Sequence, residues 1–150
     1  MVTRTKTSTQ PTAHVLLVDD NRSGMMARRS VLEELGYTTE GATDPRKALD
    51  MFRKAHYDLV VTDFKMPELN GMELIGKLRA EKPGIPVILI SGFVDSLGLT
   101  EKNTGANSVI MKSANEVQHL VRSAARLLKS PRKPARSEGG APAARKKTGT

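Results

Sequence analysis

The sequence predicts an α/β protein in which a doubly wound, five-stranded parallel sheet carries helices on both faces. Short apolar runs alternate five times with segments of helical periodicity, and the loops between them are short. This alternation implies right-handed crossovers between parallel strands of one open sheet. In addition, four of the runs end in a polar or charged residue, and ligands of such sheets bind beyond the carboxyl ends of the strands.

The first half of the chain is predicted to form three strands and two helices. The strands are residues 14–18, 37–43 and 58–63, and the helices lie within residues 21–36 and 44–57. Gly36 is a typical C-terminal cap, and Asp44 followed by Pro45 is a typical helix start. The residues that recur at helical spacing in the first helix are Met25, Met26, Arg29, Val31, Leu32 and Leu35, and we expect both methionines in the core.

The second half is predicted to contribute two further strands and three further helical segments. The strands are residues 85–91 and 107–112, and the helical segments are residues 72–84, 94–105 and 113–129. Gly98 interrupts the middle segment, which makes it a poor helix. Ser113 and Glu116 have the spacing of a capping box. The last helix is expected to bury Val117, Leu120, Val121, Ala124, Leu127 and Leu128.

The net charge of +8 is concentrated at the two ends of the chain. Residues 1–13 contribute +2 and residues 129–150 contribute +6, so residues 14–128 are formally neutral. Both end segments are polar, and the second is rich in Pro, Gly, Ala, Lys and Arg, so we expect both to be disordered. The sequence therefore predicts one domain over residues 14–128, followed by a basic tail.

Composition argues against several classes of protein. The chain contains no cysteine, which rules out disulfides and thiolate metal sites and fits a reducing compartment. No apolar run approaches the roughly 20 residues that span a bilayer, and the first residues lack the apolar core of a secretory signal. We expect a cytoplasmic protein with no membrane span.

Functional groups collect where the predicted strands end. Asp19 and Asp20 follow the first strand, Asp63 ends the third, Ser91 the fourth and Lys112 the fifth. Three carboxylates at one sheet edge repel each other unless a cation joins them, and Mg²⁺ with its preference for carboxylates and water suits that place. A lysine and a hydroxyl can stabilise a phosphoryl group in transfer, and a carboxylate such as Asp63 can form an acyl phosphate.

Four segments resemble the signature segments of the response-regulator receiver domain of two-component signalling. They are VLLVDDN, VVTDFKMPELNGMEL, PVILISG and VIMK, and they occur in order at suitable spacing within residues 14–128. The resemblance implies the flavodoxin-like strand order 2-1-3-4-5. It also implies that Asp63 accepts a phosphoryl group from a histidine kinase or phosphotransfer protein.

The resemblance assigns roles to the residues at the sheet edge. Ser91 stands at the position of the family's switch hydroxyl, and Lys112 at that of its lysine. The implied ligands of Mg²⁺ are Asp19, Asp20, Asp63 and the backbone carbonyl of Lys65. Two positions depart from the family pattern: Val109 replaces an aromatic residue, and Ser113 replaces the proline after the lysine. The usual coupling of the switch hydroxyl to that aromatic ring cannot operate here in its usual form.

Three functions are compatible with this sequence. The leading hypothesis is a signalling switch without a fused output domain, which is not an enzyme beyond self-catalysed phosphorylation and dephosphorylation. It would act through a downstream protein target, or through a homodimer. The homodimer would form through the face that runs from the fourth predicted helix (residues 94–105) to the fifth (residues 113–129). The alternative is a receiver-like scaffold whose basic tail binds nucleic acid or another polyanion. A phosphoryl-transfer enzyme is disfavoured, because Phe64 and Lys65 follow Asp63 where a second acid would be needed.

Overall fold

The structure is a computed structural model that describes residues 13–129. Its elements, in chain order, are β1 (His14–Val18), α1 (Arg22–Glu34), β2 (Thr38–Ala42), α2 (Pro45–Lys54), β3 (Leu59–Asp63), α3 (Gly71–Glu81), β4 (Val87–Ser91), α4 (Val94–Leu97), α5 (Glu101–Thr104), β5 (Ser108–Met111) and α6 (Glu116–Lys129). The end segments predicted to be disordered lie outside the described residues, apart from Ala13 and Lys129, and remain predictions. Within residues 13–129, no helix is both long and apolar enough to cross a bilayer.

The five strands form one parallel sheet in the order β2-β1-β3-β4-β5, which confirms the predicted fold class. The three central strands are almost entirely buried, as expected for a sheet covered on both faces. The edge strand β2 is only partly buried, with Thr39 and Ala42 buried and Thr38 and Glu40 exposed. Because all strands run the same way, their carboxyl ends lie along one edge, where the polar residues of the sequence collect.

Two apolar layers attach the helices to the sheet. On one face, α1 and α6 pack through residues that include Met25, Leu32, Leu120 and Ala124. On the other face, α2 and α3 pack through residues that include Ala48, Leu49, Phe52, Leu74, Ile75 and Leu78. Successive residues of β3 point to opposite layers, with Val60 in one and Val61 in the other. The sheet is thereby covered on both faces, and its carboxyl edge is left to present polar groups.

The loop after β3 is fixed by backbone hydrogen bonds. Phe64 N donates to Ile90 O at 3.0 Å, which ties the start of the loop to β4, and Gly71 N donates to Phe64 O at 2.7 Å. The loop ends at Asn70, which forms a capping box with Glu73 at the start of α3. These bonds hold the carboxyl end of β3 in place from both sides.

The buried face of the first helix differs from the sequence prediction. Met26 and Leu35 are exposed, whereas Arg28 is buried in line with Met25 and Leu32. The buried stripe is therefore narrower than predicted and includes a charged residue. Arg29, which the spacing predicts on the stripe, instead donates from Nε to Thr39 Oγ1 of the edge strand β2.

The last third of the chain also departs from the prediction in three places. The segment 94–105 forms two short helices, α4 and α5, because Gly98 adopts a left-handed conformation with φ 62° between them. Val117 of α6 is exposed rather than buried. The carboxylate of Glu116 is engaged by Arg28 from α1, and the hydroxyl of Ser113 accepts from Asn115 N. The side chains of Ser113 and Glu116 therefore bond Asn115 and Arg28 and do not form the predicted capping box.

Candidate functional site

Three aspartates meet at the carboxyl edge of the sheet. Carboxylate oxygens of Asp19, Asp20 and Asp63 all lie within 4.8 Å of one another. Asp19 is 2% exposed and Asp63 is 4% exposed, whereas Asp20 faces solvent. Asp19 and Asp20 directly follow β1, and Asp63 is the last residue of the adjacent β3. The sheet topology therefore creates a concentrated negative charge with one open side.

Lys112 places a positive charge against this cluster. It follows β5, where its backbone N donates to Ser91 O at 2.9 Å. From there its side chain reaches across β4, and Nζ lies 2.8 Å from Asp63 Oδ1. The side chain is 39% exposed, so a group that arrives from solvent can contact it. The sequence predicts this lysine at the carboxyl edge of the sheet. The structure places it there, with its ammonium in contact with the Asp63 carboxylate.

The environment of Asp63 makes its charge costly. Burial raises the pKa of the Asp63 carboxyl; the hydrogen bond from Lys112 opposes this rise, and the nearby Asp19 carboxylate adds to it. An anion in this position is stabilised when further positive charge arrives. The arrangement is thus suited to a carboxylate that receives a cation, an electrophile, or both.

Ser91 and its neighbours form the rim on the β4 side. Ser91 is buried, and its Oγ accepts a hydrogen bond from Phe93 N at 2.9 Å. A hydroxyl that accepts one hydrogen bond can still donate its own proton to an anion. Beyond it, the Lys65 ammonium lies 5.1 Å from the centre of the Phe93 ring, which is a cation–π contact. This contact joins the loop after β3 to the loop after β4.

A buried arginine completes the site, and the sequence reasoning missed it. Arg28 of α1 donates from Nη1 to Asp19 Oδ2 at 2.5 Å and from Nε to Glu116 Oε2 at 2.8 Å. Burial opposes its charge, but hydrogen bonds and attraction to Glu116 and Asp19 outweigh this effect and raise the pKa of the guanidinium. A signal was present: Arg28 falls three residues after Met25 and four before Leu32, on the same helical face.

The donor set fits a hard divalent cation. Mg²⁺ takes one or two carboxylates together with waters and carbonyl oxygens, and here carboxylates converge with one side open to water. Gly24 borders the cluster, and a Cβ atom there would lie 3.1 Å from Asp19 Oδ2. The absence of a side chain at this position leaves room beside that oxygen. The predicted ligation by the Lys65 carbonyl remains a prediction.

Comparison with known proteins identifies the family. The family model described as the response regulator receiver domain matches residues 15–124. The chain belongs to this family. The receiver domain predicted from the four signature segments is thus confirmed, and two-component signalling is the setting in which the family acts.

Individual relatives and structures agree with this receiver domain. The chain is 34% identical over 84 residues to the polar-differentiation response regulator DivK of Brucella ovis, and the match covers 55% of this chain and 68% of DivK. It is 32% identical over 115 residues to a protein-glutamate methylesterase/protein-glutamine glutaminase of Anaeromyxobacter dehalogenans. That match covers 75% of this chain but 33% of the methylesterase, so the chain spans about a third of that relative.

A solved structure gives the same result at the level of the fold. The response regulator TrrA of Thermotoga maritima, in complex with Mg²⁺ and BeF, superposes with a TM-score of 0.70 at 28% identity. The superposition covers 77% of this chain and 99% of TrrA. Four of the five predicted side chains, Asp19, Asp20, Asp63 and Lys112, lie close together at the carboxyl edge of the sheet. Ser91 lies at the end of the adjacent strand β4.

Proposed function

We propose that the protein is a phosphorylation-controlled signalling switch that accepts a phosphoryl group on Asp63 from a histidine kinase or phosphotransfer protein. The observation that carries this proposal is the 2.8 Å contact of Lys112 Nζ with Asp63 Oδ1, beside two further carboxylates. A buried carboxylate, a lysine that is accessible to solvent and an acidic cluster that can hold a cation are parts that phosphoryl transfer uses. Membership of the receiver family supports the same conclusion.

The residues of this chain would divide the chemistry between them. An Asp63 oxygen attacks the phosphorus while the bond from phosphorus to the donor's nitrogen breaks on the opposite side. Lys112 exchanges part of its contact with the carboxylate for the incoming phosphoryl oxygens, and the Ser91 proton can be donated to another of these oxygens. In the acyl phosphate the Asp63 carboxyl itself is uncharged, and the negative charge lies on the phosphoryl oxygens, where Lys112 can contact it.

Mg²⁺ is the cofactor we propose for this site, held by Asp19, Asp20, Asp63 and the Lys65 carbonyl. When bound, it would neutralise the charge that develops on the phosphoryl oxygens. The acidic cluster and the receiver fold support this assignment.

The output surface we propose lies on α4, β5 and α6. Exposed apolar side chains on these elements are Leu97, Met111 and Val117. Lys112 directly follows β5, so a change in its contacts can be transmitted to this surface. A downstream protein target, or a second copy of the chain, would bind there.

A second function is favoured by one observation, the +6 charge of residues 129–150. A basic tail of this kind can hold a scaffold on nucleic acid or another polyanion. Binding to duplex DNA that weakens with salt and is lost from a chain ending at Leu128 would favour this function. If no such binding is found, the scaffold function is wrong and the signalling switch stands. We prefer the switch because residues 14–128 are formally neutral.

Incubation with acetyl phosphate and Mg²⁺ tests the proposed switch directly. We expect the full-length protein to gain a single phosphoryl group in intact mass measurements, and borohydride reduction followed by peptide mapping should place it on Asp63. A chelator such as EDTA should prevent the gain, because the acidic cluster then lacks its cation. A stable gain on another residue, or an equal gain in EDTA, would show that the site has been assigned wrongly.

The phosphoryl group is expected to be long-lived, because Lys65 and Phe93 restrict the approach of water. Their cation–π contact spans the two loops that border Asp63, and Phe93 offers no hydrogen bond to orient a water. Loss of a positioned attacking water is worth on the order of ten- to a hundredfold in rate. We therefore expect Phe93→Ala and Lys65→Asn to lose the phosphoryl group faster by about that factor.

The measurement is the decay of phosphorylated protein in Mg²⁺ after removal of the donor. Lys77→Asn is the matched control, because it removes an exposed lysine from α3, and its decay should equal that of the wild type. Unchanged or slower decay in both test variants would show that Lys65 and Phe93 do not guard the site.

A further inference from the structure

The guanidinium of Arg28 joins the acidic cluster to the last helix. Its side chain is 6% exposed, and it bonds one carboxylate at each end: Asp19 on the side of the sheet and Glu116 at the start of α6. A buried arginine needs paired carboxylates, because an isolated buried charge is strongly destabilising. The fork of the guanidinium suits this bridging role, since it presents several donors in fixed directions.

Both oxygens of the Asp19 carboxylate are already engaged. Oδ1 accepts a hydrogen bond from Asn21 N at 2.9 Å, and Oδ2 accepts one from Arg28 Nη1 at 2.5 Å. Oδ2 is also the oxygen that faces Gly24. A cation that binds through Asp19 must therefore share an oxygen that holds a hydrogen bond, or displace the donor from it.

Charge counting shows how much Arg28 changes the cluster. Three carboxylates carry −3, the Lys112 ammonium offsets one of these charges, and Arg28 offsets another. Glu116 returns one negative charge, but it lies on the far side of the guanidinium, which contacts Asp19 directly. At separations of a few ångströms, the positive charge nearest to the cluster has the largest effect on a further cation.

We infer that Arg28 is a resident cation that competes with the divalent cation for Asp19, and so sets the affinity of the site for that cation. The inference rests on the proposed function, because it takes the acidic cluster to be the site of Mg²⁺. Arg28 is a positioning residue in this scheme: it contacts Asp19 and not the phosphoryl group. Glu116 gives the guanidinium a second carboxylate to hold when Asp19 turns to the cation.

Calorimetric titration of the full-length, unphosphorylated protein with Mg²⁺ tests the competition. Arg28→Met keeps an unbranched apolar side chain about as long as the stem of the arginine and removes the charged guanidinium. We expect it to bind Mg²⁺ about tenfold more tightly than the wild type, since Asp19 then has no competing cation. Arg29→Met is the matched control: this neighbour on α1 bonds Thr39 and Glu33 instead, and its loss should leave the affinity unchanged.

A second variant keeps the test decisive if Arg28→Met folds poorly. Arg28→Met with Glu116→Gln removes the whole bridge and restores the net charge, so no unpaired carboxylate remains on α6. It too should bind Mg²⁺ more tightly. Thermal unfolding gives an independent readout: without Mg²⁺ both variants should melt below the wild type, and saturating Mg²⁺ should raise their melting temperatures more than that of the wild type.

The outcomes separate this inference from the proposed function. If the wild type binds Mg²⁺ and the Arg28 variants bind it equally or more weakly, Arg28 does not compete for Asp19 and the inference is wrong, while the proposed switch stands. If neither the wild type nor the variants bind Mg²⁺, both fail. Tighter binding by Arg28→Met and an unchanged Arg29→Met support the competition.

Discussion

Replacing Asp63 with asparagine is expected to abolish phosphorylation of the protein. The amide has nearly the shape of the carboxylate but lacks the nucleophilic anion that forms an acyl phosphate. Neither of the other aspartates can take over: Asp19 is held by Arg28 and Asn21, and Asp20 faces solvent. Intact mass measurement after incubation with acetyl phosphate and Mg²⁺ should show no gain in this variant.

The same substitution should leave the fold intact. Burial and the proximity of Asp19 make the Asp63 charge costly, and they raise its pKa, so a neutral amide relieves this cost. The loss of the contact with the half-exposed Lys112 offsets part of the gain. We expect a melting temperature equal to or above that of the wild type, which excludes unfolding as the reason for lost phosphorylation.

A control comes from a surface aspartate of α2. Asp50 pairs with Lys54 at the surface, so Asp50→Asn makes the same chemical change away from the site and should be phosphorylated like the wild type. A phosphoryl gain in Asp63→Asn equal to that of the wild type would contradict the assignment of Asp63.

Replacing Gly71 with alanine is expected to cause a large loss of stability. A Cβ atom at Gly71 would lie 2.6 Å from the backbone oxygen of Asp63 and 2.6 Å from Leu89 Cδ1. Since the first of these is a backbone atom, the start of α3 or the end of β3 must move. Forced overpacking of this kind costs about 2–3 kcal/mol in the free energy of unfolding, and it should also slow phosphorylation, because Asp63 itself is displaced.

Gly76 provides the matched control within the same helix. Nothing lies within 4 Å of a Cβ atom built there, so Gly76→Ala should raise the free energy of unfolding by about 0.5–1 kcal/mol through its better helix propensity. Urea unfolding of both variants measures the difference. A Gly71→Ala variant as stable as the wild type would mean that the loop after β3 tolerates a side chain at this position.

The sequence by itself determined the sheet and the edge at which the candidate site residues meet. Apolar runs such as Val15–Val18 and Val87–Ile90 are buried on both faces of the sheet. Their apolar composition alone predicts such buried strands, before any helix is placed against them. Parallel direction then brought Asp63 and Lys112 to one edge. The strands could be predicted because each depends on the composition of a few consecutive residues. The shared edge could be predicted because it depends only on the parallel direction of all strands in the sheet.

Only the tertiary structure decided which charges meet inside the protein. Helical spacing assigns a residue to a face of its own helix, but whether an arginine there is buried depends on a partner from elsewhere. The partner of Arg28 on α6 is Glu116, 88 residues away in the sequence. The spacing of Ser113 and Glu116 predicts a capping box, but the Glu116 carboxylate pairs instead with the buried guanidinium of Arg28. In the interior, leaving an arginine unpaired costs more free energy than losing a cap at a helix end.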